Sequence, residues 1–136
     1  MSKDPINVLV AEDSAVNRKI LVHLLVKMGF EVSEHEDGAK AWEEFKAQPP
    51  GHYSIIFSDI MMPEMDGLEF LKNVRTESEA KETPFVLLTA VSDKDSIIEA
   101  KTHNVNGYLL KPVSYEKVKK KCTEFFPDMK FPALAG

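Results

Sequence analysis

The amino-acid sequence predicts a doubly wound α/β fold, one parallel sheet covered by helices on both faces, and three observations lead there. Short runs dense in Val, Ile, Leu and Phe lack polar alternation, as strands buried on both faces require. Between them lie segments whose apolar residues recur at helical spacing. The alternation of the two kinds implies βαβ units with right-handed crossovers. Five such units fit a chain of 136 residues, a length suited to one domain with a sizeable core.

The first strand is predicted over Ile6–Ala11. Val16, Ile20, Leu24 and Met28 mark the first helix, which Ser14 can cap and Gly29 can end. A second strand, Glu31–His35, leads through Asp37-Gly38 into a helix carrying Ala41, Glu44 and Phe45, which Pro49-Pro50-Gly51 closes. The third strand is predicted over Ser54–Ser58 and the third helix carries Leu68, Leu71 and Val74, with Asp66 assigned to the turn before it. Thr83-Pro84 precedes a fourth strand, Phe85–Thr89. A further helix ends near Asn104, a residue that tolerates the left-handed conformation, before the fifth strand, Gly107–Leu110. Tyr115, Val118, Cys122 and Phe125 mark the last helix. Residues 127–136 carry two prolines and no period, so they read as a C-terminal tail on a domain spanning residues 1–126. Phe131 and Leu134 of that tail can either pack back on the domain or dock elsewhere.

Bulk properties exclude several classes. A net charge of −5 provides no basic footprint for duplex DNA, so direct nucleic-acid binding is not expected. Cys122 is the single cysteine and cannot form an internal disulfide, and no apolar stretch follows a basic N-terminal leader. No apolar run approaches the roughly 20 residues that cross a bilayer. A cytoplasmic protein without membrane insertion is the expectation. His23, His35, His52 and His103 are far apart and lack metal-ligand spacing.

Polar residues end four of the apolar runs: Glu12-Asp13 the first, Asp59 the third, Thr89 the fourth and Lys111 the fifth. In neighbouring parallel strands these five side chains would gather at the carboxyl edge of the sheet, where open α/β folds bind ligands. Three converging carboxylates repel one another, and a proton or a cation must relieve them. Magnesium suits them, since it prefers oxygen ligands and commonly sits on one or two carboxylates together with a phosphate.

The segment Asp59-Ile60-Met61-Met62-Pro63-Glu64-Met65-Asp66-Gly67 resembles the phosphoacceptor segment of the CheY-like receiver domain of two-component response regulators. Thr89-Ala90 resembles that family's switch threonine and Lys111-Pro112 its lysine and cis proline, and the resemblance runs from about Ile6 to Phe126. It implies the flavodoxin-like strand order 2-1-3-4-5. It also implies that Asp13 and Asp59 ligate Mg²⁺ directly, that Met61 adds its backbone carbonyl, and that Glu12 acts through water. Asp59 would then accept a phosphoryl group from a histidine kinase, contacted by Lys111 and Thr89 and by the backbone N–H groups of Ile60 and Ala90. The family's switch would move Thr89 toward the phosphoryl group and rotate Tyr108 inward. Met61 and Val91 resemble the variable positions that tune dephosphorylation; both are apolar, which predicts slow self-dephosphorylation.

The resemblance implies a single-domain regulator that catalyses only its own phosphorylation and dephosphorylation and then switches its binding to a downstream protein target. An output surface on the fourth helix, fifth strand and fifth helix would be locally basic through Lys94, Lys101, Lys117, Lys119, Lys120 and Lys121. The alternative is a relay that passes the group to a histidine phosphotransfer protein, because Asp13-Ser14-Ala15-Val16-Asn17-Arg18 resembles segments of receivers attached to hybrid kinases. An aspartyl phosphatase is disfavoured: its second aspartate would fall at position 61, which is Met. Glu12-Asp13 would repel the phosphate of a flavin.

Overall fold

The computed structural model describes residues 6–90 and 92–131. Five parallel strands, β1 (Asn7–Ala11), β2 (Glu31–His35), β3 (Tyr53–Asp59), β4 (Phe85–Thr89) and β5 (Gly107–Leu110), form one sheet in the order β2-β1-β3-β4-β5. Five helices alternate with them: α1 (Ala15–Lys27), α2 (Gly38–Ala47), α3 (Gly67–Glu77), α4 (Lys94–Thr102) and α5 (Tyr115–Phe125). The doubly wound fold and its strand order match the expectation.

The period of two along the strands divides the core into two layers. Val8 and Val10 of β1 face Leu21 and Leu25 of α1 and Val118 and Cys122 of α5. Leu9 and Ala11 face the opposite way, toward Trp42 of α2, Phe70 and Leu71 of α3 and Ala100 of α4. β3 begins one residue earlier than its pattern suggests, because its register against β1 shifts: Asn7 pairs with Tyr53 but Val8 with Ile55. The extra residue turns Tyr53 onto the same face as Ile56. At its other end β3 includes Asp59, so the acidic residue continues the strand.

Helix ends follow local chemistry. Ser14, Asp37, Asp66 and Ser114 cap α1, α2, α3 and α5 through their side chains, Asp66 doing so from the turn before α3 where it was expected. Gly29, at φ 99°, ends α1, with Gly29 N–H on the Val26 carbonyl and Phe30 N–H on that of Leu25. Asn104, at φ 59°, reproduces this pattern after α4, with Asn104 N–H on Lys101 and Val105 N–H on Ala100.

The start of the tail packs back on the domain. The Phe30 ring lies 5.8 Å from that of Phe126 and 5.7 Å from that of Phe131, and Met129 joins the same layer. Leu134 lies outside the described residues.

Candidate functional site

β1 and β3 are neighbours although β2 intervenes in the chain, so the connections leave them in opposite directions. This is the topological switch point, where a crevice opens beyond the carboxyl ends of the strands. Glu12 and Asp13 follow β1 there and Asp59 ends β3; carboxylate oxygens of all three lie within 4.8 Å of one another. Glu12 and Asp59 are buried and Asp13 is exposed.

Lys111 crosses to them from the end of β5. Its Nζ lies 2.9 Å from Asp59 Oδ2 and 3.2 Å from Glu12 Oε1. Among the described residues Glu12 Oε1 has this ion pair but no hydrogen bond, while Glu12 Oε2 accepts the Ser14 N–H. Asp59 Oδ1 accepts the Ile60 N–H at 2.8 Å. Burial pushes the Glu12 carboxyl up to about 7; the adjacent Asp59 carboxyl, with which it can share a proton and whose charge opposes its own, adds to the rise, against the Ser14 N–H and the Lys111 ammonium. Burial works against the Lys111 ammonium, but Asp59 and Glu12 more than offset it and raise its pKa.

This donor set fits a small hard cation. It brings three carboxylates to short range, and one buried oxygen has an ammonium as its sole partner among the described residues.

The sequence matches the model of the response regulator receiver domain over residues 8–123. The chain belongs to the response regulator receiver family. This receiver is 37% identical over 114 residues to the chemotaxis protein CheY1 of Helicobacter pylori, covering 83% of this chain and 90% of the relative. It is 34% identical over 120 residues to CheY-3 of Vibrio cholerae, covering 88% and 90%. The solved structure of V. cholerae CheY4 superposes with a TM-score of 0.81 at 32% identity, covering 90% of this receiver and 99% of that chain. A receiver domain from the sensor histidine kinase PA1611 of Pseudomonas aeruginosa, solved with magnesium in its active site cleft, shares the fold at 23% identity and a TM-score of 0.81, over 91% and 99% of the chains. Receiver domains are signalling proteins that bind Mg²⁺ at an acidic pocket, and the Glu12, Asp13 and Asp59 cluster of this receiver has that character.

The remaining expected residues of the receiver divide into those at the site and those turned away. Thr89 is buried at the end of β4, its hydroxyl 3.5 Å from the Leu109 carbonyl, and the Lys111 N–H donates to the Thr89 carbonyl at 2.7 Å. Tyr108 is 48% exposed and lines a groove with Thr89, Ile97 and Ile98. The Lys111-Pro112 peptide is cis. Met61 is exposed, and Val91 lies outside the described residues. The Ile60 N–H is taken by Asp59 itself and the Ala90 N–H by Asp93 Oδ2, so neither backbone donor is free in this state.

Two of the six lysines expected on the output surface are engaged within the chain. Lys117 Nζ donates to the Leu110 and Pro112 carbonyls, and Lys121 pairs with Glu124.

Sequence reasoning passed over Arg18, whose guanidinium donates to the Glu12 carbonyl at 2.8 Å and pairs with Glu34 at 3.1 Å. It sits in the quoted Asp13-to-Arg18 segment, but no spacing signals a bond to a carbonyl. Gly67 was also passed over. A Cβ there would lie 2.1 Å from the Asp59 carbonyl oxygen, so only glycine lets α3 start this close to the end of β3. Its position after Asp66 was the available signal.

Proposed function

We propose that Asp59 accepts a phosphoryl group from a histidine kinase in a Mg²⁺-dependent reaction, and that the resulting acyl phosphate switches the binding of a protein target. The observation that carries this reading is the meeting of Lys111 with Asp59 at 2.9 Å inside a three-carboxylate cluster. An isolated aspartate has no use for such surroundings, whereas a phosphoryl acceptor needs charge compensation already in place.

A carboxylate oxygen of Asp59 attacks phosphorus, a P–O bond forms, and the donor's P–N bond breaks with its electron pair leaving on the imidazole nitrogen. Asp13, Asp59 and the Met61 carbonyl would hold Mg²⁺ with Glu12 through water. When bound, the ion supplies charge stabilisation to the phosphoryl oxygens. Lys111 turns its ammonium from Asp59 to a phosphoryl oxygen, and the Thr89 hydroxyl leaves its 3.5 Å contact with Leu109 to donate to another. Tyr108, half exposed beside Thr89, then has space to turn inward. Residues 1–126 form the receiver unit, with Phe131 packed on it, acting in the cytoplasm. The chain's chemistry is confined to its own phosphorylation and dephosphorylation.

Incubation with acetyl phosphate and Mg²⁺, read by intact mass, tests this. A single phosphoryl adduct is expected that is absent with EDTA and in Asp59→Asn. No adduct on the folded wild type removes the reading.

One observation favours a relay as a second reading. Val16 and Ile20 of α1 are 68% and 46% exposed, and Ile20 lines a crevice with Glu12, Lys111, Pro112 and Val113. An apolar rim at the acceptor suits a phosphotransfer protein that must bring its histidine to Asp59. Back-transfer from phosphorylated protein to such a partner distinguishes the two.

A further inference from the structure

α1, α2, α3 and α5 are capped alike: Ser14, Asp37, Asp66 and Ser114 accept the backbone N–H three residues on, from Asn17, Lys40, Glu69 and Lys117. α4 departs from this pattern. Asp93 stands at its N-cap position, yet its side chain makes no capping bond. Instead Asp93 Oδ2 accepts the Ala90 N–H at 2.7 Å, and the Asp93 N–H donates back to the Ala90 carbonyl at 3.1 Å.

Ala90 directly follows Thr89 at the end of β4. The β3–β4 register pairs Asp59 with Leu88, so the Ala90 N–H projects from the same sheet edge as the acceptor. A backbone donor that holds one anionic oxygen is chemically able to hold another, and a carboxylate and a phosphoryl group present the same kind of acceptor.

We propose that Asp93 is a built-in competitor for this donor: its carboxylate occupies the Ala90 N–H and must leave before a phosphoryl group on Asp59 can claim that hydrogen bond. The inference rests on the proposed role of Asp59. Two effects act in the same direction. One charge-assisted bond must be exchanged for another, and the Asp93 carboxylate repels the incoming phosphoryl charge. Asp93 therefore holds the unphosphorylated arrangement in place, as any group does that binds one of two states better. Once displaced, Asp93 stands where it can cap α4, the helix whose Ile97 and Ile98 share a groove with Tyr108. The competition would thus connect the acceptor to α4.

The test is a calorimetric titration of the full chain with beryllofluoride in saturating Mg²⁺, for the wild type, Asp93→Ala and Asp93→Asn, alongside the NMR resonance of the Ala90 amide. Asp93→Ala frees the donor. Asp93→Asn keeps an uncharged acceptor able to cap α4, and it decides the matter if the alanine variant does not fold. Both variants are expected to bind beryllofluoride about tenfold more tightly than the wild type, the size of one hydrogen bond to a charged group. The Ala90 amide should move on substitution and, in the wild type, on ligand binding. Unchanged or weaker affinity in the variants, with the wild type binding, overturns the competitor role and leaves the reading of Asp59 intact. Absence of binding in wild type and variants alike overturns that reading and the competitor role with it.

Discussion

Gly67 and Asp59 are locked together: a methyl group on Gly67 would lie 2.1 Å from the Asp59 carbonyl oxygen, and the Gly67 N–H donates to the Ile60 carbonyl at 2.8 Å. The start of α3 thereby fixes the height at which Asp59 leaves the sheet. Gly67→Ala is expected to lower stability by about 1–3 kcal/mol, as overpacking does, and to slow phosphorylation as well. Gly38→Ala meets the Met65 carbonyl at the same 2.1 Å but lies farther along the chain from Asp59, so it should cost similar stability with a smaller effect on phosphorylation. Urea midpoints and adduct rates for the two variants check the contrast; equal rate losses would contradict it.

Lys111 has two opposing effects on the site. Its ammonium compensates Glu12 and Asp59 at 3.2 and 2.9 Å, and it draws on two of the carboxylates that a metal ion would draw on. Lys111→Met should therefore bind Mg²⁺ more tightly while accepting phosphate about a hundredfold more slowly, since removing one preorganised charge from a reacting centre costs on that order. Weaker Mg²⁺ binding in calorimetry would show that Lys111 and the ion do not compete.

Glu12 makes the metal-free protein sensitive to pH. Its folded value, raised by burial to about 7, exceeds the ordinary 4.5, so between these the folded state holds a proton that the unfolded state has released. The contribution to stability is complete below about 4.5 and is lost as pH rises through about 7. In EDTA, the urea midpoint of the wild type relative to Glu12→Gln should fall from about pH 5 to about pH 8. A constant difference would mean that Glu12 is ionised throughout.

Arg75 secures two loops at once. Its guanidinium donates to the carbonyls of Lys81, Thr83 and Asn104 and to Asn106 Oδ1, which also accepts the Phe85 N–H at 2.7 Å and so aligns the start of β4. Arg75→Ala leaves these carbonyls without their partner and should cost about 1–3 kcal/mol in urea unfolding. Retained stability would show that water replaces the clamp.

On the proposed function, Tyr108 should report the switch. It is half exposed beside Thr89, and inward rotation should lower its accessibility to a small quencher when beryllofluoride and Mg²⁺ are added. Thr89→Ala should still bind the mimic but leave Tyr108 outside. A Tyr108 that responds equally in both proteins would separate it from Thr89.

Much of this was legible because parallel strands carry their own signature. Val8 to Ala11 and Phe85 to Leu88 are buried on both faces, so they read as unbroken apolar runs, and the polar residues ending them necessarily meet at one edge. Residues with long-range or backbone roles were harder to read. The bulge that turns Tyr53 inward depends on pairing with β1, and the stacking of Phe131 on Phe30 joins segments far apart in the chain. Asp93 looks like any helix cap; only the fold shows its carboxylate on Ala90 instead.

The most direct test of the central claim is to phosphorylate the protein with acetyl phosphate and Mg²⁺, reduce it with borohydride and map the peptides. An acyl phosphate on Asp59 would be converted to homoserine at position 59 and nowhere else. Homoserine at another carboxylate, or none from a folded and magnesium-loaded protein, would contradict the assignment of Asp59 as the acceptor.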